Sequence, residues 1–233
     1  MYNPKDISKL IYGDVISDKY SKLRFEIMTD LLRPFISRGT NIKMLDVGCY
    51  TADLLKILPG KVDYYGVDSD EEALKVAQMR GAKVFKLDIE RQGLSAVSQK
   101  FDIIIATEIL EHLKDPQDIV RQIKEILNDD GVVLISLPNE CTIYHRLKVL
   151  IGKGIDGTGF APHYHLHFPT IAQNNHFIET NFRVIGRKYW IHTDAGGTLG
   201  RFLRKIPDRF WLGLANLSPS LFARGVIYLC RKQ

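Results

Sequence analysis

The feature that most constrains the fold of this chain is an alternation of strand-like and helix-like runs between residues 41 and 191. Short apolar and β-branched runs alternate with segments whose apolar residues recur at helical spacing. This order predicts right-handed βαβ units and an α/β fold, with a mostly parallel sheet covered by helices on both faces. The seven predicted strands are IKMLDV, VDYYGVD, KVFKLD, FDIIIAT, VVLISLP, FRVIGRKYWI and GVIYLCRK.

The helix-like runs have recognisable beginnings and ends. An amphipathic pattern over residues 18–37 predicts a leading helix, and ADLLKIL and EEALKVAQMRG predict the next two. Asp115-Pro116 opens a further helix, which the DDG of residues 129–131 closes. The apolar face of this helix is predicted to comprise Ile119, Val120, Ile123, Ile126 and Leu127.

Four acidic residues follow the same rhythm. Asp46, Asp68, Asp88 and Glu108 are 22, 20 and 20 residues apart, and each stands at or just past the end of a predicted strand. In a parallel sheet these ends share one edge, where open α/β sheets bind ligands. Any single acid is more simply explained as the N-cap of the next helix. Four acids at one register, however, indicate a shared ligand.

Charge and cysteine content narrow the functional classes. The net charge is +5, but residues 198–233 alone carry +6, so the remaining 197 residues sum to −1. The body of the chain is therefore not typical of a general nucleic-acid-binding protein. The three cysteines include no CxxC pair, which argues against a disulfide scaffold or zinc knuckle. Together with an N-terminus that lacks a signal-peptide pattern, they predict a cytoplasmic protein.

Residues 210–229 raise the question of a membrane, because they are long enough to span a bilayer. Asn216, Pro219 and Arg224 interrupt the run, so a helical cap followed by a strand is the simpler prediction. Peripheral membrane contact through this basic, aromatic C-terminal region, for example through Phe210 and Trp211, is the alternative.

These patterns divide the chain into four predicted parts. They are a helical segment (1–40), an α/β core (41–191), a helical lid insertion (192–222) and a closing strand of the core (223–233). The lid would overhang the same edge as the four acids and grip an anionic or amphiphilic substrate. A helix that only covers an exposed face of the sheet explains the insertion equally well.

The loop after the first strand indicates the kind of ligand. A dinucleotide site favours G-x-G-x-x-G, whereas residues 48–53 read GCYTAD with a single glycine. Tyr50 places a ring where backbone would approach a pyrophosphate, and Asp53 would repel it. A ligand with a ribose, an adenine and a positive centre suits the acids better: Asp68 is placed to accept both ribose hydroxyls, and Asp88 to meet the adenine amino group.

The order of these motifs resembles that of the class I S-adenosylmethionine-dependent methyltransferases. The resemblance covers residues 40–190 and is close to the branch that includes the MetW proteins and the ubiquinone-pathway O-methyltransferases. It implies a Rossmann-like fold that binds S-adenosylmethionine as the methyl donor. The matching stretches are MLDVGCYTA, YYGVDSD, KLDIE, FDIIIATEILEHLKDP, GVVLISLPNE and HLHFPTIAQNNHFIETNFRVI.

The resemblance also implies a set of cofactor-binding residues. They run from the methionine end (Asp46, Gly48, Cys49) through the ribose (Asp68, Ser69) and adenine (Asp88, Ile89) to the floor beside the sulfonium (Thr107). The family usually writes GCGxG, so Tyr50 and Ala52 replace two glycines. Ala52 is expected to be a mild change that affects only close helix packing. Tyr50 either caps the cofactor from an adjusted loop or marks a weakened site.

The stretch TEILEH supplies candidates for the chemistry. Methyl transfer is an in-line displacement, and an oxygen nucleophile must also lose a proton, whereas a neutral amine needs no base at attack. Glu108, Glu111 and His112 stand at i, i+3 and i+4, which puts them on one face of a helical turn. We expect His112, with Glu111, to act in catalysis as the general base.

The same residues, with His165, form a candidate site for a divalent metal such as Mg²⁺ or Zn²⁺. The predicted ligands are Glu108, Glu111, His112 and His165. Glu-x-x-Glu-His with a later His resembles the metal-dependent 2′-O-methyltransferases of small-RNA 3′ ends, and ubiquinone-pathway O-methyltransferases carry a similar pattern. In many methyltransferases without a metal, a Glu-His pair here only orients a loop. His163 and His167 are interpreted as loop or packing histidines.

Three functions are therefore considered. The leading hypothesis is transfer of a methyl group to an oxygen of a small-molecule, lipid-linked or saccharide acceptor. The second is a non-catalytic methyltransferase-fold protein with a binding or regulatory role, which the changes at Tyr50 and Ala52 motivate. The third is a metal-dependent RNA 2′-O-methyltransferase, although nucleic acid is not the favoured partner.

Overall fold

The computed structural model describes residues 19–37, 41–58, 60–154, 165–191, 203 and 205–233. Its strands are β1 (Lys43–Val47), β2 (Asp63–Asp68), β3 (Lys83–Lys86), β4 (Phe101–Thr107), β5 (Leu127–Pro138), β6 (Arg183–Trp190) and β7 (Gly225–Arg231). Its helices are α1 (Lys19–Ile36), α2 (Glu71–Met79), α3 (Ile89–Gln92), α4 (Pro116–Ile126), α5 (Ile143–Leu150), α6 (Ile171–Asn181), α7 (Asp208–Leu217) and α8 (Pro219–Phe222). Short 3₁₀ turns lie at Asp53–Lys56 and Leu110–His112.

The strands form one seven-stranded sheet in the order β3-β2-β1-β4-β5-β7-β6. All pairings are parallel except those of β7, which runs antiparallel to both β5 and β6. The first strand, β1, lies near the centre of the sheet. From it the strands are added first on one side (β2, β3) and then on the other (β4, β5), so the strand order reverses between β1 and β4. The predicted α/β fold is confirmed, and the reversal opens a crevice at the carboxyl ends of β1 and β4.

Helices cover both faces of the sheet, as predicted. Neighbouring strand residues point to opposite faces, so Met44 and Leu45 of β1 belong to two different cores. One core joins α1 and α2 to the sheet and includes Met28, Leu32, Met44, Ala77 and Ile105. The other joins α4 and α6 and includes Leu45, Ile104, Ile119, Ile123 and Ile178.

Two predicted helices differ in length from the expectation. ADLLKIL forms only the 3₁₀ turn at Asp53–Lys56, because Ala52 adopts a left-handed conformation before it and Pro59 disfavours helical geometry at the residue that it follows. Leu127 was predicted to lie on the face of α4 but is the first residue of β5. No loop separates the two elements, and the pairing with β4 shifts register between Leu127 and Val132 instead.

The run at residues 210–229 is divided among α7, α8 and β7. Within the described part of the chain, no helix is both long and apolar enough to cross a bilayer. Ala215 of α7 is buried in the core of the α4 face. Residues 192–202 and 204, which include much of the predicted lid, lie outside the described residues. The structure also contains α5, for which no helix was predicted.

Candidate active site

The four rhythmic acids all lie at the carboxyl edge of the sheet. Asp46 is the penultimate residue of β1, Asp68 ends β2, Asp88 follows β3 by two residues, and Glu108 directly follows β4. The parallel pairing of these four strands places the positions along one rim. Their side chains, however, have very different surroundings.

A cavity of about 300 Å³ opens at this rim, over the ends of β1, β2 and β3. Five of the nine predicted cofactor residues line it, and so does His112. Its lining comprises Gly48, Val67, Asp68, Ser69, Leu87, Asp88, Ile89, Glu90, Ile109, His112 and Leu113. The cavity is therefore bordered by the loop after β1, by two of the acids and by the candidate base.

The loop after β1 has the left-handed backbone conformation that glycine favours, although Tyr50 and Ala52 stand where the family usually has glycine. Gly48, Tyr50 and Ala52 have φ values of 76°, 46° and 53°, all in the left-handed region. For a residue with a Cβ this conformation costs about 1–2 kcal/mol. The expectation that Ala52 matters only for helix packing was wrong, because its buried backbone also adopts a conformation that glycine favours. Tyr50 is exposed and is not among the residues that line the cavity.

Asp68 and Asp88 use their carboxylates to hold backbone. Asp68 accepts hydrogen bonds from the amides of Tyr50 (2.8 Å) and Asp70 (3.0 Å), and so ties the loop to β2. Asp88 is the N-cap of α3 and accepts from the amide of Glu90 at 3.1 Å. The N-cap interpretation therefore holds for Asp88. Each carboxylate oxygen can accept a second hydrogen bond, so capping and ligand binding are compatible.

Asp46 and Cys49 lie beneath the loop and do not line the cavity. Asp46 is buried and accepts a hydrogen bond from the hydroxyl of Tyr64. Burial raises the pKa of Asp46 to about 7, although the hydrogen bond from Tyr64 opposes the rise. The Cys49 thiol packs over Gly66, where an added Cβ would lie 2.5 Å from its sulfur. Both side chains support the loop from below.

Glu108 and Thr107 stand at the end of β4, outside the lining of this cavity. Glu108 is left-handed, with a φ of 52°. Its Oε1 accepts from the Ser136 hydroxyl at 2.7 Å, and its Oε2 lies 3.4 Å from Arg24 Nη1. Glu108 therefore pairs with α1 and β5. Glu108 is not part of the group that Glu111 forms with the two histidines described below, because residues 110–112 form a 3₁₀ turn that does not continue through Glu108. Its role as a metal ligand stays a prediction.

The other three predicted metal ligands do come together. Among the described residues, Glu111, His112 and His165 form a group in which one ligand atom from each lies within 4.8 Å of the others. His165 Nε2 is 3.9 Å from Glu111 Oε1, and the rings of His112 and His165 meet edge to face at 4.7 Å. Two segments that are more than fifty residues apart in the sequence therefore build one cluster.

Glu111 is the most unusual group in this cluster. It is 2% exposed, and neither of its carboxylate oxygens has a hydrogen-bond partner among the residues that the structure describes. Burial raises the pKa of Glu111 to about 8, and the nearby charge of Glu108 adds to the rise. A buried carboxyl without a donor favours its protonated form or a bound cation.

Glu140 has the opposite character. Burial by itself would raise its pKa, but the hydrogen bond from His165 and the charge of Arg224 lower it to about 2. His165 Nδ1 lies 2.8 Å from Glu140 Oε1, and Arg224 Nη1 lies 3.2 Å from Oε2. The first contact requires a hydrogen on Nδ1, which leaves Nε2 of His165 facing Glu111.

Three residues of this region were not predicted from the sequence. Glu140 had a signal, because it follows β5 as the other acids follow their strands. Arg24 and Arg224 had none, since a cation in a helix or before a strand resembles any surface cation. Within the described part of the molecule, Arg24 Nε is buried without a hydrogen-bond partner. Its guanidinium also lies over the Trp190 ring at 5.6 Å.

A second cavity, of about 360 Å³, lies on the other side of the Leu110–His112 turn. Glu111 and mostly apolar side chains line it. The lining residues are Leu110, Glu111, Pro116, Leu137, Leu166, His167, Phe168, Pro169, Gln173, Asn174 and Phe177. His167 Nε2 is 2.8 Å from the Leu113 carbonyl, in keeping with a structural role. His163 lies outside the described residues.

The chain is similar to known proteins along most of its length. A family model described as a methyltransferase domain matches residues 20–185. A ubiquinone biosynthesis O-methyltransferase of Glaesserella parasuis is 30% identical over 118 residues, which are 46% of this chain and 50% of that protein. A probable S-adenosylmethionine-dependent methyltransferase of Mycobacterium tuberculosis is 27% identical over 132 residues, 55% of this chain and 46% of that protein. The chain thus spans about half the length of the curated relatives it matches.

Solved structures share the fold at low sequence identity. The N-methyltransferase NodS from Bradyrhizobium japonicum, in complex with S-adenosylhomocysteine, has a TM-score of 0.58 at 13% identity and covers 98% of this chain and 97% of its own. A methyltransferase from Archaeoglobus fulgidus has a TM-score of 0.56 at 17% identity, with 99% and 100% covered. These likenesses show the fold. With the family match over well more than half of the residues, this chain belongs to the methyltransferase domain family and is a class I S-adenosylmethionine-dependent methyltransferase.

Proposed function

We propose that this methyltransferase acts on an oxygen, and that its acceptor is a hydroxyl-bearing molecule with an apolar portion. The observation that carries the proposal is the cluster of the buried Glu111 with the half-buried His112 and His165 between the two cavities. His112 borders the cavity of the cofactor residues, and Glu111 borders the apolar one. Proton-accepting groups would therefore lie between the methyl donor and a space that suits an apolar molecule.

The cluster suits removal of a proton from a hydroxyl. Glu140 is held ionised by Arg224 and His165, so it fixes the ring of His165 with Nε2 towards Glu111. Glu111, by contrast, has a raised pKa and can take up a proton near neutral pH. Two carboxyl groups whose pKa values are pushed apart are typical of acid–base sites. A neutral amine would need no such base at attack.

The cofactor would lie along the first cavity. Asp68 and Ser69 would contact its ribose, and Asp88 and Ile89 its adenine. Its methionyl carboxylate needs a cation at a rim that is otherwise acidic. Arg24 supplies one, because its guanidinium stands at the end of β4 beside Glu108. A bound carboxylate would also satisfy its buried Nε.

A divalent metal at the same cluster is a second candidate feature, favoured by the two buried oxygens of Glu111. The described donors are two imidazoles and one carboxylate, a set that suits Zn²⁺ better than Mg²⁺, which prefers oxygen ligands. When bound, such a metal would lower the pKa of an acceptor hydroxyl. A Co²⁺ titration of the purified chain, followed by visible absorption, tests the site. His165→Gln should abolish the signal, and a change of the exposed His176 of α6, His176→Gln, should not.

We do not extend the RNA 2′-O-methyltransferase hypothesis to this chain. That pattern requires Glu108 beside the histidines, and here Glu108 pairs with Ser136 and Arg24. The non-catalytic hypothesis was motivated by Tyr50 and Ala52, yet both residues keep the left-handed path of the loop.

The decisive experiment compares oxygen and nitrogen acceptors. The full chain is incubated with methyl-labelled S-adenosylmethionine and a panel of catechols, phenols, aromatic amines and alkylamines. We expect label on phenolic hydroxyls and a rate that rises with pH. Calorimetry with S-adenosylmethionine runs in parallel as the control for an intact cofactor site. Cofactor binding with transfer only to amines, or to none of the panel, would contradict oxygen methylation.

A further inference from the structure

The helix α5 reverses the usual burial of an amphipathic helix. Of its eight residues, all of which the structure describes, only His145 is buried. Leu147 and Leu150 are 53% and 80% exposed, and Ile151 directly after the helix is 67% exposed. A surface helix normally places its apolar residues inside and its polar residues outside. This helix buries a histidine and presents aliphatic side chains to solvent.

The exposed aliphatic residues form one stripe. Ile143, Leu147, Leu150 and Ile151 stand at i, i+4, i+7 and i+8, which places them on one side of a helix. His145 faces the protein, where its Nδ1 lies 2.9 Å from the Thr142 hydroxyl. The stripe is therefore a continuous apolar surface, because the body of the protein holds the helix by its opposite side.

The charged residues within the α5 segment all have one sign. Residues 141–154 contain Arg146, Lys148 and Lys153 and no acidic residue. Arg146 bonds the Cys141 carbonyl and the Ser220 hydroxyl of α8, which fixes α5 against the C-terminal helices. A helix with leucine on one side and flanking lysine and arginine is typical of segments that lie in a lipid interface.

We propose that α5 docks on the surface of an anionic lipid bilayer. Leu147, Leu150 and Ile151 enter the interfacial region, and Lys148 and Lys153 lie near lipid phosphates. A second copy of this chain is a poor occupant, because a two-fold contact would set the same cationic surface against itself. Protein interfaces are also depleted in lysine and enriched in aromatic residues, unlike this stripe.

The position of α5 connects the bilayer to the candidate active site. His145 Nε2 lies 4.0 Å from Glu140, the carboxylate that holds His165. The Glu140 amide donates to the Pro169 carbonyl, beside Leu166 and Phe168, which line the apolar cavity and are themselves exposed. The α5 helix is thus linked through Glu140 to the segment that lines the apolar cavity, so a bilayer on α5 would lie near that cavity. The acceptor would then be a membrane-resident amphiphile, a conclusion that rests on the proposed function.

Vesicle sedimentation of the full chain tests the docking surface, with no acceptor present. We expect binding to vesicles that contain about 30% phosphatidylglycerol, weaker binding to pure phosphatidylcholine, and loss of binding at about 0.5 M salt. Leu147→Ser with Leu150→Ser should weaken binding by at least about tenfold. Met79→Ser, which removes an exposed apolar residue of α2, should leave it unchanged.

Two further variants test the role of charge and the choice of helix. Lys148→Glu with Lys153→Glu should remove the preference for anionic lipid, and these surface changes do not depend on the packing of the core. Leu217→Ser on exposed α7 should have little effect; a large effect would assign docking to the predicted C-terminal contact and overturn the role of α5. Absence of vesicle binding by the parent chain, or a concentration-dependent dimer in light scattering that the leucine variant abolishes, would also overturn the proposal. Unchanged S-adenosylmethionine affinity shows that each variant is folded, so failure here is distinct from failure of oxygen methylation.

Discussion

The two halves of the carboxyl edge treat their acids in opposite ways. On the side of β1 to β3, Asp68 and Asp88 receive hydrogen bonds from backbone amides and line an open cavity. On the side of β4 and β5, Glu111 is buried without a described donor, and Glu140 is held ionised by His165 and Arg224, which come from distant segments. In the first half, the carboxylates are positioned by hydrogen bonds to backbone amides and border the cavity. The second half separates the pKa values of two carboxyl groups, which is how proteins prepare proton transfer.

The largest expected effect breaks the second half alone. Glu111→Gln removes a group of raised pKa beside His112 and His165, so we expect kcat to fall about 100- to 10,000-fold. Because Glu111 does not line the first cavity, the Kd for S-adenosylmethionine should stay nearly constant. Rates on the best hydroxyl acceptor and calorimetric Kd values separate the two effects.

Glu125→Gln is the matched control for this change, since Glu125 is exposed on α4 and pairs with Arg121. It should alter neither kcat nor Kd. Equal losses of kcat and of cofactor affinity in Glu111→Gln would show that the two halves are not separate sites.

Asp46 is the exception within the first half, because it is buried and its pKa is raised. The dependence of stability on pH reveals this difference. Its pKa is about 7 in the folded protein against 3.8 for the ordinary group, so the folded state binds the proton more tightly. Stability from this group is therefore present below about pH 4 and is lost as pH rises to about 7. Between pH 5 and pH 8 the loss should be roughly 2–3 kcal/mol.

Urea unfolding at both pH values measures that loss. Asp46→Asn cannot ionise, so the variant should lose less stability than the parent over this interval. Asp30→Asn, which changes an exposed residue of α1, should behave like the parent. An identical pH dependence in the Asp46 variant and the parent would remove the buried acid from the comparison.

Asp68 measures how strongly the first half holds the cofactor. Asp68→Asn weakens hydrogen bonds of a charged acceptor to the ribose and to the loop, which are worth about 1.5–3 kcal/mol. We expect the Kd for S-adenosylmethionine to rise about 10- to 100-fold, with little change in kcat at saturating cofactor. Asp70→Asn, a change of the neighbouring N-cap of α2, should leave the Kd unaltered. A kcat defect that saturating cofactor does not relieve would contradict the division between the halves.

The smallest effect concerns the loop itself. Ala52→Gly relieves a left-handed conformation but adds chain entropy to the unfolded state, so we expect a gain of about 0.5–1 kcal/mol. Ala73 lies in the helix α2, so Ala73→Gly should instead lower the free energy of unfolding by about 1 kcal/mol. Thermal unfolding compares the two variants. A loss of stability at Ala52 would mean that its methyl group, buried in the core, outweighs the backbone strain.

Much of the fold could be predicted because its signals are local. Periodicities of two and 3.6 residues marked the strands and several helices, and the acids marked the strand ends. The errors came where a neighbour intervened: Leu127 entered β5 because the chain passes from helix to strand without a turn. The helix α5 was missed because its apolar stripe is short and faces solvent.

The candidate site divides in the same way. Asp68 and Asp88 were found because each stands at the end of its own strand, and a position along one rim follows from spacing alone. Spacing alone did not show how Glu108 lies relative to Glu111, because a left-handed residue followed by a 3₁₀ turn sets the path between them. Arg24 was missed because nothing near it in the chain shows that Glu108 lies opposite.

The sequence by itself determined the succession of strands along the chain, the edge at which the acids stand and the residue types available for chemistry, since these depend on spacing along the chain. Only the tertiary structure decided which acids are held by backbone, which is buried without a donor, and which cations reach them. Those properties depend on side chains from α1, the Leu110–His112 turn, the end of β5 and the segment before β7, which meet only when the sheet is assembled. The protonation of a carboxyl group depends on its burial and its partners, and both are set by residues that are distant from it in the sequence.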